Sequence, residues 1–389
     1  MVAIKGNIIL WLMILLSACS DRQSSSTKGT SLIGTGSIYF PIDELTFYRS
    51  KAIFQFEDGR REYLFFENSD RGKLQLHIFD IKEQALFKSI PMYKEGPNGM
   101  VGIFGGWPID MNNFLITTKT GRFHLIDDKG DITKTFRAWE KGKFGIRYGN
   151  ISVYSYFSEP AILKDSLFYF AQSDIGYPHK KEDWSKTPMF AYANLKDGTL
   201  NHTELYFPDI FAEDEKYRET IYSTSFSYAF TGKQLAVSFK SFDSIMVTSD
   251  FKNTKFYNAR SRYAKPQRPE IENLQIDLTT KLKRQLLKPS YHHLIYDKYR
   301  DVFYRFVLLP CELTPDLNPY DEISEQEFSI IILNNKYEII GETKFPGNTY
   351  CFRMCFVGKE GLYISLNNQK NPDFNENELK FKCFKLQDK

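Results

Sequence analysis

The sequence has 389 residues, with 51 Lys and Arg against 48 Asp and Glu, for a formal net charge of +3 at pH 7. This near balance gives no electrostatic support to a nucleic-acid partner, which requires a basic surface. Phe, Tyr and Trp make up 16% of the chain, and aromatic residues fit half-buried β-strands better than helix faces.

The first 18 residues have the three zones of a secretory signal peptide. Lys5 provides a positive start, residues 8–16 form an uninterrupted apolar run, and Ser17 and Ala18 are the small residues that cleavage requires. The apolar run is shorter than the about 20 residues that cross a bilayer. We therefore expect residues 1–18 to be removed as a signal peptide.

The cleavage region resembles a bacterial lipobox, Leu16-Ser17-Ala18-Cys19, in which the Cys thiol is acylated. The resemblance implies that the mature chain begins at Cys19 and is held on a membrane by its lipid. The residues that follow are polar and bury almost nothing, so we expect 19–36 to be a flexible tether. Residues 37–389 then form the folded domain.

The residues directly after Cys19 bear on the final location in the cell envelope. Ser20 does not match an inner-membrane retention signal, and Asp21 stands alone rather than in an acidic cluster like that of some surface lipoproteins. We expect the protein to be anchored in the outer membrane, and the sequence leaves open whether it faces the periplasm or the cell exterior.

Short alternating apolar runs bounded by turn residues recur along residues 37–389 and predict strands paired in hairpins. Their first strands begin about 50 to 70 residues apart. The six predicted pairs are 62–66 with 74–80, 113–117 with 122–127, 166–170 with 189–194, 234–239 with 244–247, 301–306 with 328–333, and 361–365 with 379–384.

A hairpin followed by a further strand, such as 132–136, is the unit of a β-propeller blade. We predict an all-β propeller of six blades, with seven as the alternative, because 37–56 could form a blade or supply the strand that closes the ring. A β-sandwich rarely exceeds about 250 residues. Two separate all-β domains would need a linker, and only the short Pro-rich stretch 265–270 is available.

Two stretches resemble the six-bladed, TolB-like propeller lipoproteins that are abundant in gut-dwelling Gram-negative bacteria. Residues 94–99, Lys-Glu-Gly-Pro-Asn-Gly, are similar to the turn that follows the first blade of these proteins. Residues 296–306 are similar to a late strand that carries a Tyr, an acidic residue and a Tyr-Arg pair. Members are mostly described as domains of unknown function, so the resemblance implies a fold and an envelope location but no activity.

Four cysteines besides Cys19 lie in the part expected to be exported, where disulfides can form. Cys351 and Cys355 share a face of a predicted strand but stand about 13 Å apart, too far for a bond to each other. Cys383 lies in a neighbouring predicted strand and could pair with either. Buried thiols, one disulfide and, least supported by spacing, a metal site are the alternatives.

The most conspicuous charge within a predicted strand is Arg305, between Tyr304 and Phe306. A charge in such a strand needs a partner, and the innermost strands of a propeller line a channel. Arg305 is therefore either a structural ion-pair residue or a ligand contact at the channel mouth, with Arg300 and Asp301 as companions.

Turn and loop residues provide further candidates for ligand binding. Trp107, Trp139 and Trp184 have polar neighbours, and exposed aromatic rings could stack on sugars or anchor a protein partner. Glu95 and Asn98 belong to a Gly/Pro turn that could border the channel. Local packing and simple turn formation are the alternative explanations.

Recognised catalytic signatures are missing from the sequence. It has no G-x-S-x-G elbow, no H-E-x-x-H motif and no phosphate-binding loop. The neighbours His292 and His293 would point to opposite faces of a strand and so could not chelate one metal. We expect no metal and no cofactor.

We therefore expect a membrane-tethered propeller that acts as a non-catalytic binding module, with an envelope protein or a glycan as its partner. The alternative is a carbohydrate-active lyase or hydrolase with its site at the channel mouth, assembled from distant blades. Buried carboxylates or His with shifted pKa values at that mouth would favour the enzyme. A channel filled by Phe and Tyr would favour a scaffold.

Overall fold

The structure is a computed structural model, and every regular element in its described part is a β-strand. The residues described are 29–50, 52–68, 74–118, 122–137, 159, 161–171, 188–210, 225–264, 286–310 and 326–388. Within these ranges, no helix has the length and apolar character required to cross a membrane. The expected signal peptide and Cys19 lie outside them.

The strands are short, as expected for alternating apolar runs that are cut by turn residues. They are β1 Thr30–Pro41, β2 Ile53–Asp58, β3 Arg61–Asn68, β4 Gln75–Asp80, β5 Ala85–Pro91, β6 Ile103–Pro108, β7 Asn113–Thr118, β8 Arg122–Asp127, β9 Ile132–Arg137, β10 Ile162–Lys164, β11 Leu167–Ala171, β12 Phe190–Asn194, β13 Leu200–His202, β14 Phe226–Phe230, β15 Leu235–Phe239, β16 Ser244–Thr248, β17 Lys255–Asn258, β18 Ser290–Asp297, β19 Val302–Leu308, β20 Phe328–Asn334, β21 Ile339–Phe345, β22 Cys351–Val357, β23 Leu362–Ser365 and β24 Glu378–Asp388.

Four of the sheets are antiparallel and have four strands in sequence order: sheet 1 (β2–β5), sheet 2 (β6–β9), sheet 3 (β10–β13) and sheet 4 (β14–β17). The remaining strands form one eight-stranded sheet in the order β18-β19-β20-β21-β1-β24-β23-β22. It has two parts, half A (β18–β21) and half B (β22, β23, β24 and β1). One parallel pair, Thr30 with Gly341, joins β1 of half B to β21 of half A.

The first strands of the sheets lie next to one another around a common centre. β2 contacts β6 and β22, and β18 contacts β14 and β22. In sheet 1 the middle strands β3 and β4 are almost fully buried, whereas the last strand, β5, is largely exposed. The arrangement is all-β and propeller-like, with first strands inside and last strands outside.

Apolar side chains fill the spaces between successive sheets. Phe65 and Ile116 belong to a core between sheets 1 and 2, and Phe190 and Val237 to one between sheets 3 and 4. Further cores lie between sheets 2 and 3, between sheet 4 and half A, between the two halves, and between half B and sheet 1. The series of cores therefore returns to the sheet at which it started.

The two ends of the folded chain pair with each other. β1 runs antiparallel to β24 from Thr30 opposite Asp388 to Pro41 opposite Glu378, with a bulge between Gly34 and Ser37. Half B is thus completed by the N-terminal strand. This is the second of the two alternatives for residues 37–56, in which they supply the strand that closes the ring. Because β1 begins at Thr30, residues 30–36 belong to the sheet and not to the expected tether.

All six predicted hairpins are confirmed, and each contains the second and third strand of a four-stranded unit. The strand predicted at 132–136 is β9. The first strands, such as β2 and β22, were not among the predicted pairs. Their side chains face both the centre and a neighbouring sheet, which obscures the simple alternation of a half-buried strand.

We expect Gly341→Ala to destabilise the protein, because an added Cβ would come within 1.7 Å of the Thr30 carbonyl oxygen. Overpacking of this kind costs about 1–3 kcal/mol in the free energy of unfolding, measured by urea denaturation. Gly36→Ala, also at the β1 end of the fold, is the matched control, since its Cβ would meet nothing within 4 Å. Equal effects of the two variants would contradict the role assigned to this junction.

Candidate functional site

The first strands of sheet 1, sheet 4 and both halves of the eight-stranded sheet enclose a pocket near their common centre, here called the axial pocket. Its volume is about 310 Å³, at the lower end of the about 300–1,000 Å³ typical of small-molecule sites. It is lined by Ile53, Phe54, Gln55, Ala229, Phe230, Thr231, Leu294, Ile295, Tyr296, Lys298, Phe356 and Val357. The walls are therefore mostly aliphatic and aromatic.

A hydrogen-bonded network crosses the rim of the axial pocket. The Lys298 ammonium and the Tyr299 hydroxyl donate to one carboxylate oxygen of Glu57, at 2.7 and 2.5 Å. Gln55 Nε2 donates to the Tyr299 oxygen at 2.9 Å, and Lys359 Nζ lies 3.3 Å from the Glu57 carboxylate. Hydrogen bonds from Lys298 and Tyr299 lower the pKa of Glu57 to about 2. The network joins sheet 1 to both halves of the eight-stranded sheet.

A second group of side chains lies toward the other ends of β18 and β22. His292 and His293 are near the start of β18, and Arg353 is the third residue of β22. Lys240 directly follows β15, and its carbonyl accepts a hydrogen bond from the Tyr291 amide at 2.8 Å. We call Lys240, His292, His293 and Arg353 the basic cluster.

Both imidazoles of the basic cluster pack on the same ring. The ring centroids of His292 and His293 lie 5.5 and 5.8 Å from that of Phe352, and the Arg353 guanidinium carbon lies 5.9 Å away. The expectation that the two His point to opposite faces was wrong, because the β18 register shifts between Tyr291 and Leu294. A bulge at these residues breaks the alternation of the strand.

Burial and mutual repulsion favour the neutral forms within the basic cluster. Burial, with the charge of Arg353, lowers the pKa of Lys240 to about 8. Burial, with the charges of Arg353 and Lys240, lowers the pKa of His293 to about 3, and the same causes hold that of His292 well below its usual value. Both imidazoles are therefore neutral at pH 7, and Lys240 titrates near pH 8.

Buried carboxyl groups also occur in the described part of the chain. Glu67 is buried on β3, and its amide donates to the Ala52 carbonyl at the start of β2. Burial raises the pKa of Glu159 well above its usual range. Across the described ranges, no group of three or more His, Cys, Asp and Glu side chains is arranged to hold a metal ion.

A family model for a domain of unknown function, DUF4221, matches residues 32–344. The chain belongs to this family. A crystal structure of a DUF4221 member from Bacteroides vulgatus superposes with a TM-score of 0.86 at 39% sequence identity, covering 93% of this chain and 100% of that chain. The all-β, propeller-like fold described above is thus the fold of the DUF4221 family.

Other solved structures resemble this DUF4221 chain only distantly. BamB from Moraxella catarrhalis gives a TM-score of 0.38 at 11% identity, covering 91% of this chain and 100% of that chain. Virginiamycin B lyase from Staphylococcus aureus gives 0.43 at 7%, covering 90% and 99%. No curated protein matches the sequence. These distant overlaps carry no information about the function of the chain.

Arg305 is fully buried on β19, the second strand of half A, and not on a channel-lining first strand. Its Nε donates to the Ser238 hydroxyl at 2.8 Å, and Nη1 donates to the carbonyls of Asp243 and Ala259 at 2.6 and 2.8 Å. The guanidinium also lies 3.6 Å from the ring centroid of Tyr291. Arg305 therefore fastens half A to sheet 4, which agrees with the structural alternative, although most of its partners are carbonyls.

The two expected companions of this buried arginine make their bonds elsewhere. Arg300 donates to the carbonyls of Lys359 and Gly358 at 2.9 and 2.7 Å and so links half A to half B. Asp301, which has a positive φ of 54°, accepts a hydrogen bond from the Tyr296 hydroxyl at 2.8 Å. Both residues lie beside the rim of the axial pocket rather than with the buried guanidinium.

Trp107 is a packing residue, one of the two alternatives that the sequence left open, and it lies in a strand rather than in a loop. It lies in β6, is only 2% exposed, and donates from its indole nitrogen to the Glu159 carbonyl at 2.9 Å. Its ring packs between Phe54 and Phe168. Trp139 and Trp184 lie outside the described residues.

The turn that contains Glu95 and Asn98 is fixed to the outer part of sheet 2. The Asn98 amide donates to Asp131 at 2.6 Å and accepts from the Ile132 amide at 3.1 Å. Ile132 begins β9, the last strand of its sheet. The turn is thus anchored away from the channel, as the simple-turn alternative implies and not as the channel-border alternative does, and Glu95 is exposed.

The cysteines on β22 and β24 are free thiols. Cys351 is opposite Ser365, Cys355 is opposite Ile364, and Cys383 is opposite Tyr363. No two of the three therefore face each other across a strand pair, so the disulfide alternative is not realised among them. Cys311 lies outside the described residues.

The basic cluster was missed in the sequence because its members are far apart in the chain. Lys240 begins an ordinary polar turn after β15, and Arg353 alternates with apolar residues as a surface residue would. The adjacent His292 and His293 were the only visible signal, and strand alternation argued against them. A bulge cannot be read from these residue types alone.

We expect Arg305→Met to lower the free energy of unfolding by about 3 kcal/mol or more, since several buried carbonyls would lose their donors. Urea denaturation of the two proteins measures this loss. Arg61→Met is the control, because that side chain is 67% exposed and surface substitutions usually change stability by less than about 0.5 kcal/mol. An unchanged stability of Arg305→Met would rule out the fastening role.

Proposed function

We propose that the chain is a lipid-anchored, six-bladed propeller of the bacterial cell envelope, TolB-like in type. We further propose that it acts as a non-catalytic binding module with its ligand in the axial pocket. The observation that carries this proposal is the pocket itself, because sheet 1, sheet 4, half A and half B each contribute residues of the first strand, or next to it, to its walls. Pockets at such convergence points are the usual binding sites of closed β folds.

Two features support a count of six blades. The strands fall into groups of four, once half A and half B are each counted as a blade. Six apolar cores separate successive groups and close the ring from half B back to sheet 1. The pair Thr30–Gly341 then joins two neighbouring blades at their outer edge.

The location in the envelope follows from the N-terminal sequence. Cys19 and Thr30 are eleven residues apart, which in an extended chain is at most about 40 Å. A lipid on Cys19 would hold the propeller within that distance of the membrane, most consistently the outer membrane. A partner must be reachable there, which favours an envelope protein or a glycan.

The chemistry of the axial pocket favours binding over catalysis. Its polar rim residues are engaged with one another, and the low pKa of Glu57 keeps that carboxylate ionised and unsuited to act as a general acid. Phe54, Phe230 and Tyr296 line the walls, and aromatic rings stack on the apolar faces of sugar rings. A glycan unit therefore fits the pocket better than a strongly charged ligand.

A carbohydrate-active enzyme is the second candidate function, and the basic cluster is the observation that favours it. A Lys with a pKa of about 8 is a suitable proton acceptor near neutral pH. Perturbed pKa values of this kind are common at catalytic sites. In this alternative the reaction would take place at the end of the channel away from the axial pocket.

We expect a ligand found by screening glycans and envelope proteins to bind saturably and without turnover, and Thr231→Trp to abolish the binding. The indole would fill much of the axial pocket without replacing a core residue. Isothermal titration calorimetry of the protein in detergent measures the affinity. Val101→Trp, at a position 68% exposed and remote from the pocket, should bind normally. Turnover of the ligand would support the enzyme instead.

We expect Cys19→Ser to move the protein from the membrane fraction to the soluble fraction of the cell. The substitution removes the thiol that carries the acyl chains, each buried CH₂ of which contributes about 0.8 kcal/mol to membrane binding. Fractionation and labelling with a clickable fatty acid measure the change. Cys383→Ser, at a buried thiol of β24, is the control. Membrane retention of an unlabelled Cys19→Ser protein would exclude the anchor.

A further inference from the structure

Basic side chains from four consecutive four-stranded units, sheet 4, half A, half B and sheet 1, come together at the end of the channel away from the axial pocket. Lys240 belongs to sheet 4, His292 and His293 to half A, and Arg353 to half B. Arg49, just before β2 of sheet 1, lies in the same region, because Arg49 and Arg353 both lower the pKa of the Cys351 thiol against the raising effect of burial. No other described part of the channel collects so many basic groups.

Arg49 provides a second, independent observation. Among the residues that the structure describes, its Nε is a buried donor that has no hydrogen-bond acceptor. The Arg49 guanidinium carbon lies 5.5 Å from the ring centroid of Tyr48. This ring contact positions the guanidinium but does not provide a conventional hydrogen-bond acceptor. A buried donor without an acceptor destabilises the protein, so an acceptor supplied from outside the protein would bind favourably.

We propose that the basic cluster, together with Arg49, is a binding site for an oxyanion: a carboxylate, sulfate or phosphate group. The Arg49 guanidinium can donate to such a group, and the positive charges of Arg353 and Lys240 attract it. Phe352 holds the two imidazoles and Arg353 in place around the site. Lys240, His292 and Arg353 are only partly buried, so a ligand can reach them.

The site differs from the axial pocket in both position and chemistry. β18 and β22 contribute to both, with His292 and Arg353 at one end and Tyr296 and Phe356 at the other. The axial pocket is mostly apolar and its rim charges are compensated by Glu57. The oxyanion site is instead rich in basic nitrogen atoms.

The test is calorimetric titration of the full chain in detergent with sodium sulfate, sodium phosphate and sodium acetate, against sodium chloride at equal ionic strength. We expect saturable binding of at least one oxyanion and none of chloride. Arg353→Gln should weaken it about tenfold or more, the effect of losing one charge-assisted hydrogen bond. The order of the three affinities distinguishes carboxylate, sulfate and phosphate ligands.

Lys385→Gln is the matched control for charge. Lys385 lies on β24 of half B, where its half-exposed side chain pairs with Glu360 at 2.6 Å, and its loss should leave the affinity unchanged. Circular dichroism verifies folding, and Lys240→Met provides a second variant if Arg353→Gln is unstable. In NMR titrations the bound anion should raise the pKa of His292. Absence of binding, or equal weakening by Lys385→Gln, would overturn the proposal.

Discussion

The pairing of β1 with β24 is the contact on which the closed arrangement of sheets depends. Without β1, half B would have only three strands, and β24 would present an unpaired edge of eleven residues, which proteins avoid exposing. The pairing also joins residues more than 300 positions apart, so its loop-closure entropy is large and must be offset by burial elsewhere. The apolar cores between successive sheets provide that burial.

Polar contacts between sheets supplement these cores and determine how the first strands are held. Arg305 joins half A to sheet 4, Arg300 joins half A to half B, and Glu57 joins sheet 1 to both halves. Each of these charged side chains is at least partly removed from solvent and makes several hydrogen bonds or ion pairs. These bonds offset the cost of taking a charged group out of water. They give the axial pocket rigid walls.

The two sites that we propose are built on the same two strands. β18 and β22 carry basic side chains toward their starts and apolar, pocket-lining side chains toward their ends, and a bulge in β18 brings two consecutive His onto one ring. A ligand with a sugar-like apolar face and an oxyanion would match the two kinds of surface.

The sequence by itself determined the all-β class and the six hairpins, because alternation and turn residues are local patterns. The lipobox at Cys19 is also a local pattern, and from it we predict an envelope location. It could not assign Arg305, Trp107 or the basic cluster, since their surroundings are made by residues up to several hundred positions away. Arg305 proved to fasten two sheets, and Trp107 to be core. Only the tertiary structure, in which the sheets close around a common centre, decided which charged side chains lie next to one another. The distances between these side chains depend on strand pairing and packing between residues that are far apart in the sequence.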